Sequence, residues 1–181
     1  MISVAPITAK VAELRRGFDQ ARAAPFSSGT EEQAEDLLAI RVSRDPYAIR
    51  VSDISGLAAD RRIVAFPSPI PELLGVAGIR GALVPVYSLA MLLGYHAETE
   101  RTRWLVLCGT EDPVALVFSE FEGYVRVPLT QLYAAEQKDG AHTHVRHLVR
   151  ATDTVRAVVS IPLIRKTIQG RCCNHGVSKE R

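Results

Sequence analysis

The spacing of apolar and polar positions changes its period once along the chain. In residues 5–24, Ile7, Val11, Leu14 and Phe18 recur at i, i+4, i+7 and i+11, which predicts an amphipathic helix with one apolar stripe. Pro6 suits a first helical turn, and Pro25 stops the run. The following FSSGTEEQAED, residues 26–36, is small, polar and acidic and reads as a linker. From residue 37 the alternation shortens to two. LLAIRVSRDPYAIRVSDI holds two β-rich runs about a turn at Arg44-Asp45-Pro46, with alternation visible in Ala48-Ile-Arg-Val-Ser. RRIVAF, 61–66, predicts another strand. The three prolines of PSPIPELL, 67–74, exclude a helix there. Gly75–Arg80 and Ala82–Tyr87 read as a strand pair broken at Gly81. Ser88–Leu93 then supplies a short helix, capped by Ser88 and ended by Gly94.

The second half keeps the short rhythm. Strands are expected at Trp104–Cys108, Val114–Phe118, Gly123–Val127, Thr143–Arg150 and Val155–Ile161, with a polar loop from Pro128 to Gly140. A helix is expected at Leu163–Ile168, since Pro162 fits a first helical position. QGRCCNHGVSKER, residues 169–181, is polar and basic and reads as a disordered tail. About ten short strands with close turn signals predict a mainly β domain over residues 36–168, built as small barrels or a sandwich. Residues 1–35 form the helix and linker ahead of it.

Composition narrows the class of protein. The chain has 181 residues, 47% of them hydrophobic and 23% charged, so one domain or one compact pair of subdomains with a proper core is expected. The formal net charge of +2 comes without a basic face, which gives no reason to expect nucleic acid. No apolar run reaches the length of a membrane span, and the first ten residues lack the pattern of a secretory signal. Three cysteines, Cys108 and the adjacent Cys172-Cys173, do not make a disulfide framework, so a reduced, cytoplasmic protein is expected.

Candidate chemistry is sparse. His142, His144 and His147 stand in six residues, but no cysteine or carboxylate lies close by in sequence to complete a ligand set. Cys172-Cys173-Asn174-His175 has the wrong spacing for a zinc knuckle. Cys108 sits mid-strand, where an inert buried thiol is the usual finding. Gly75, Gly78 and Gly81 are spaced by three, not as a phosphate-binding G-x-G-x-x-G. No catalytic residue, metal or cofactor is therefore expected. What stands out is Arg80, one permanent charge in the uncharged run GVAGIRGALVP. It is either a strand-end arginine paired with a carboxylate or an anchor offered to another protein.

The same residues carry a family resemblance. FPSPIPELLGVAGIRGALVPVYSLAMLLG, residues 66–94, resembles the signature block of CheW-like domains, the coupling proteins of bacterial chemotaxis. Pro67, Gly75, Val76, Ile79, Arg80, Gly81, Pro85, Val86, Leu89, Leu93 and Gly94 match that pattern in order, and residues 37–55 fit the family's opening strands. The resemblance covers roughly residues 36–168. It implies two small five-stranded SH3-like β-barrels and an adaptor without catalytic activity. Such an adaptor joins a CheA-type histidine kinase to the cytoplasmic domain of chemoreceptors, in arrays at the membrane and without membrane insertion of its own. It places the partner surface at Arg80 and Gly81, with Ile79, Val86 and Leu89 around them. The chain departs from the pattern at Gly78 (asparagine in the family), Ser88 (aspartate), Phe118-Ser119 (Val-Asp) and Val145–Leu148. These departures imply a divergent member, and the alternative is an interaction module serving a kinase or another motility or regulatory partner without receptor coupling.

Overall fold

The computed structural model describes residues 33–97, 102–135, 144–151 and 154–176, with side chains as far as Arg171. The expected N-terminal helix and most of its linker lie outside the described residues. Among the described residues, twelve strands make two six-stranded sheets. The first has the order β10-β11-β12-β2-β1-β9, from β1 (Ala34–Val42), β2 (Asp45–Arg50), β9 (Glu120–Pro128), β10 (Leu132–Ala134), β11 (Val145–Ala151) and β12 (Thr154–Val159). The second has the order β3-β7-β8-β6-β5-β4, from β3 (Gly56–Ala59), β4 (Ile63–Val64), β5 (Leu73–Ile79), β6 (Ala82–Ser88), β7 (Trp104–Cys108) and β8 (Val114–Phe118). Each sheet mixes antiparallel pairs with one parallel pair, β12 with β2 and β6 with β8.

Alternation along single strands explains how these sheets are filled. In β1, Leu37 faces one core while Leu38, Ile40 and Val42 face another. In β6, Val84 and Val86 point one way and Tyr87 the other. The second sheet curls around a small core of Ala77, Ile79, Val84, Val86, Leu105 and Val117. Ala58 from one edge strand and Ile63 from the other both pack on it, so the two edges bend toward each other. The first sheet does the same around Leu37, Ala48, Val127, Val149 and Val158, with β9 and β10 contributing from opposite edges. The remaining faces meet in the largest core, where Ile40, Ile49, Val106, Leu116 and Phe118 are fully buried.

Two helices close that shared core. Helix α1 (Leu89–Leu92) follows β6 directly; the Ser88 hydroxyl accepts a hydrogen bond from Met91 N at 3.3 Å, the expected cap. Helix α2 (Ile161–Gly176) buries Ile161, Ile164 and Ile168, spaced i, i+3, i+7, and exposes Lys166 and Gln169.

Several expected boundaries move, each because of pairing at a distance. Ala34–Asp36 belong to β1 and not to the linker, because they pair with Arg126–Pro128 of β9. The first turn is Ser43-Arg44, and Asp45-Pro46 already pair with β1. Strand β3 was not expected from the sequence, and β10 lies inside the expected loop. The resemblance implied five strands to a barrel; short segments such as Ile63–Val64 and Leu132–Ala134 bring each sheet to six. Helix α2 takes in residues 169–176 of the expected tail. Its first turns are anchored in the core, and Arg171 pairs with the buried Glu72.

Candidate partner-binding surface

The signature block folds into a hairpin that ends on the residue the sequence singled out. β5 and β6 pair from Leu73–Tyr87 to Ile79–Ala82, leaving Arg80-Gly81 as a two-residue turn. Both residues have positive φ, 50° and 81°, as a type I′ turn requires. Glycine adopts this at no steric cost, whereas arginine does not. Upstream, the hairpin carries a register shift between Leu73 and Gly75. A Cβ on Gly75 would stand 2.2 Å from the carbonyl oxygen of Val64, so only glycine lets β4 lie this close.

The five residues expected at the partner surface divide into two sets. Arg80 and Gly81 are exposed at the tip. Ile79, Val86 and Leu89 are buried at 5%, 0% and 0% exposure and do not form a surface: Ile79 and Val86 fill the core under the hairpin, and Leu89, at the start of α1, fills the shared core. The reason is the two-residue period: in β6 the inward set contains Val84 and Val86, and the outward set contains Leu83 and Pro85. Leu83 is 78% exposed, and the sequence reading passed over it. The alternation in ALVPVY already sets Leu83 and Val86 on opposite faces. Which face is covered depends on the rest of the sheet.

Leu83 opens onto an apolar groove of about 450 Å³ that Pro85, Tyr87, Pro113, Val114 and Ile168 also line. Helix α2 forms one wall and β6 the other. Beside it lies a wider depression of about 850 Å³ between the β2–β3 connection, the β7–β8 loop and α2. Its wall is charged with both signs, from Asp53, Glu111, Asp112, Arg165 and Lys166. Burial raises the Asp53 carboxyl above the usual range, and Arg50 only partly opposes it. The Arg165 guanidinium lies against Gly109 and donates from Nη2 to the Asp112 carbonyl at 3.2 Å.

The remaining chemical candidates are set apart from this surface. Cys108 is fully buried, and burial pushes its thiol up to about 12, so it stays protonated at neutral pH. His142 lies outside the described residues. His144 is buried in the turn just before β11, and burial holds its imidazole below the usual value. His147 stands 3.2 Å from Arg50 through Nδ1; burial first, then Arg50 and Arg146, disfavour its charged form. Among the described residues no three His, Cys, Asp or Glu side chains stand close enough to hold a metal ion, and no helix is long and apolar enough to cross a membrane. The side chains of Cys172, Cys173 and His175 are outside the described set.

Two curled sheets sharing a core, with an exposed hairpin tip and an adjoining apolar groove, define a mainly β interaction domain. The model of the CheW-like domain family matches residues 36–167, more than half of the chain, and the chain belongs to that family. This is a family of chemotaxis scaffold modules. Among solved structures, the chain resembles the scaffolding protein TtCheW from Thermoanaerobacter tengcongensis, with a TM-score of 0.64 and 13% identity. The match covers 71% of this chain and 90% of that one, and at this identity it speaks for the fold. No curated protein sequence matches the chain.

Proposed function

We propose that the protein is a non-catalytic adaptor that couples the cytoplasmic domain of chemoreceptors to a CheA-type histidine kinase, working in the cytoplasm at membrane-associated receptor arrays. In this reading the two curled sheets are the family's SH3-like barrels. The observation that carries it is the exposed Arg80-Gly81 tip with Leu83 beside it, next to an apolar groove. An aliphatic side chain left 78% exposed at a groove mouth contributes nothing to the fold and is suited to burial against a partner. An arginine held in a left-handed turn adds a directional, desolvatable anchor.

Co-sedimentation tests this directly. Purified protein is mixed with receptor cytoplasmic fragments and a CheA-type kinase from the same cell, with Leu83→Asp and Arg80→Ala run beside wild type. The adaptor reading expects wild type to bridge both partners in one pellet and each variant to lose at least one of them. Wild type that binds the kinase alone, or neither, is the result that contradicts receptor coupling.

A further inference from the structure

Arg80 does not stand by itself at the tip. Its guanidinium reaches back over β3, so close to Gly56 that a Cβ there would lie 2.9 Å from Nη2. The space it overhangs is a small depression of about 220 Å³ between the hairpin tip and β3. Arg61, on the connection between β3 and β4, lines the same depression. The other lining residues are glycine, alanine, leucine and isoleucine. Arg61 and Arg80 are therefore its two charged residues, and both are of one sign. Both are exposed, and among the described residues neither has a carboxylate within ion-pair distance.

Elsewhere in the domain, several arginines have carboxylate partners. Arg41 and Arg156 share Glu122, Arg103 pairs with Asp60, Arg50 with Glu35 and Arg171 with Glu72. Two cationic side chains lining one small depression repel each other, and an anion between them relieves that repulsion. The backbone adds to the case, because arginine at φ 50° is disfavoured where asparagine or glycine would fit. A disfavoured conformation held at an exposed tip points to a use for that side chain.

We propose that Arg61 and Arg80 form a two-guanidinium clamp for a carboxylate of an aspartate or glutamate on the partner protein, with Gly56 leaving room for the Arg80 fork to lie flat. The inference rests on the reading that this tip faces a protein partner, and it adds the chemistry of what the tip holds. A carboxylate accepts two parallel N–H donors from one guanidinium and keeps lone pairs for a second. The apolar floor of leucine and alanine lowers the local dielectric and strengthens the pair once the partner excludes water. Arg61 is part of the surface in this account, although it falls outside the block on which the family resemblance is written.

The test uses the full chain with receptor cytoplasmic fragment and kinase as probes, measured separately. Arg61→Gln and Arg80→Gln should each weaken one of the two interactions by at least about ten-fold. The loss should shrink as salt is raised, because wild-type binding is itself weakened by screening. Arg61→Lys and Arg80→Lys keep the charge and supply an amine. Zero-length carbodiimide coupling of either lysine variant to the bound probe should join position 61 or 80 to an acidic residue, located by mass spectrometry. Wild-type binding that is unchanged in Arg61→Gln and gives no crosslink from either lysine overturns the clamp while leaving the adaptor reading intact. Failure of wild type to bind either probe overturns both.

Discussion

The domain contains two hairpins closed by the same kind of turn, and they are treated in opposite ways. Ser43-Arg44 joins β1 to β2 with φ of 49° and 73°; Arg80-Gly81 joins β5 to β6 with φ of 50° and 81°. The first tip is tied down from several sides. Arg41 donates from Nε to Glu122 at 2.6 Å and from Nη1 to the Arg44 carbonyl at 2.8 Å. Ser43 N donates to the Ser119 hydroxyl at 3.3 Å, and Asp45 accepts from Tyr95, which also meets Tyr47 hydroxyl to hydroxyl at 2.8 Å. Burial and these two bonds keep the Tyr95 phenol protonated far above its usual range. The second tip has a paired ladder behind it; it is exposed, and its Arg80 side chain reaches back over β3 beside Gly56. The same strained turn thus serves as a fixed corner in one sheet and as a presented surface in the other.

The largest effect expected from this contrast lies at the fixed corner. Glu122 holds both Arg41 and Arg156, and Arg156 is nearly buried. Glu122→Ala leaves that guanidinium without its carboxylate and should cost about 3 kcal/mol of stability by urea unfolding. Binding to a partner, measured well below the new midpoint, should be unchanged. At the presented tip the signs reverse. Arg80→Ala should cost about 1–4 kcal/mol of binding by titration calorimetry and within about 0.5 kcal/mol of fold stability. A variant that swaps these two outcomes would show that the two tips do not differ in role.

Acid should act on the fixed parts first. His144 and His147 both have depressed folded-state pKa values, because burial disfavours the charged imidazole. The unfolded state therefore binds protons first, and the stability these residues contribute is present above about 6.5 and lost as pH falls below it. Glu122 adds a second loss at lower pH. Burial raises its carboxyl, but the bonds from Arg41 and Arg156 outweigh this and hold it below the usual range, so its contribution fades as it protonates. The urea midpoint should fall between pH 7 and pH 5, and His147→Gln should flatten that slope. The smallest effect is expected at Gly78, where a Cβ meets nothing within 4 Å. Gly78→Ala should stabilise the hairpin by about 0.5 kcal/mol in a thermal melt.

Much of this was legible from the chain. The period-two alternation of β1, β2 and β6, the Ser88 cap, and the Arg80-Gly81 break all follow from local sequence, and the ordered signature block is enough to point to the family. What was not legible depends on partners distant in sequence. β3 and β10 are short, weakly patterned segments that become strands because β7 and β11 lie beside them. Residues 169–171 read as tail until Glu72 is seen to meet Arg171. At the site, the matching residues Ile79, Val86 and Leu89 are core positions, the first two under the hairpin and the third at the start of α1. Leu83 and Arg61 are visible only once the sheet curls and shows which face stays open.

In the adaptor reading, the β5–β6 turn keeps an unfavourable residue for the sake of its side chain. Arg80→Asn tests this most directly, with stability and partner binding measured on the same preparation. Asparagine fits the left-handed turn better, so the unfolding free energy should rise by up to about 1 kcal/mol. Binding should fall by at least about ten-fold. A variant that gains stability and binds as wild type does would show that Arg80 is merely tolerated at the tip, and would contradict the claim.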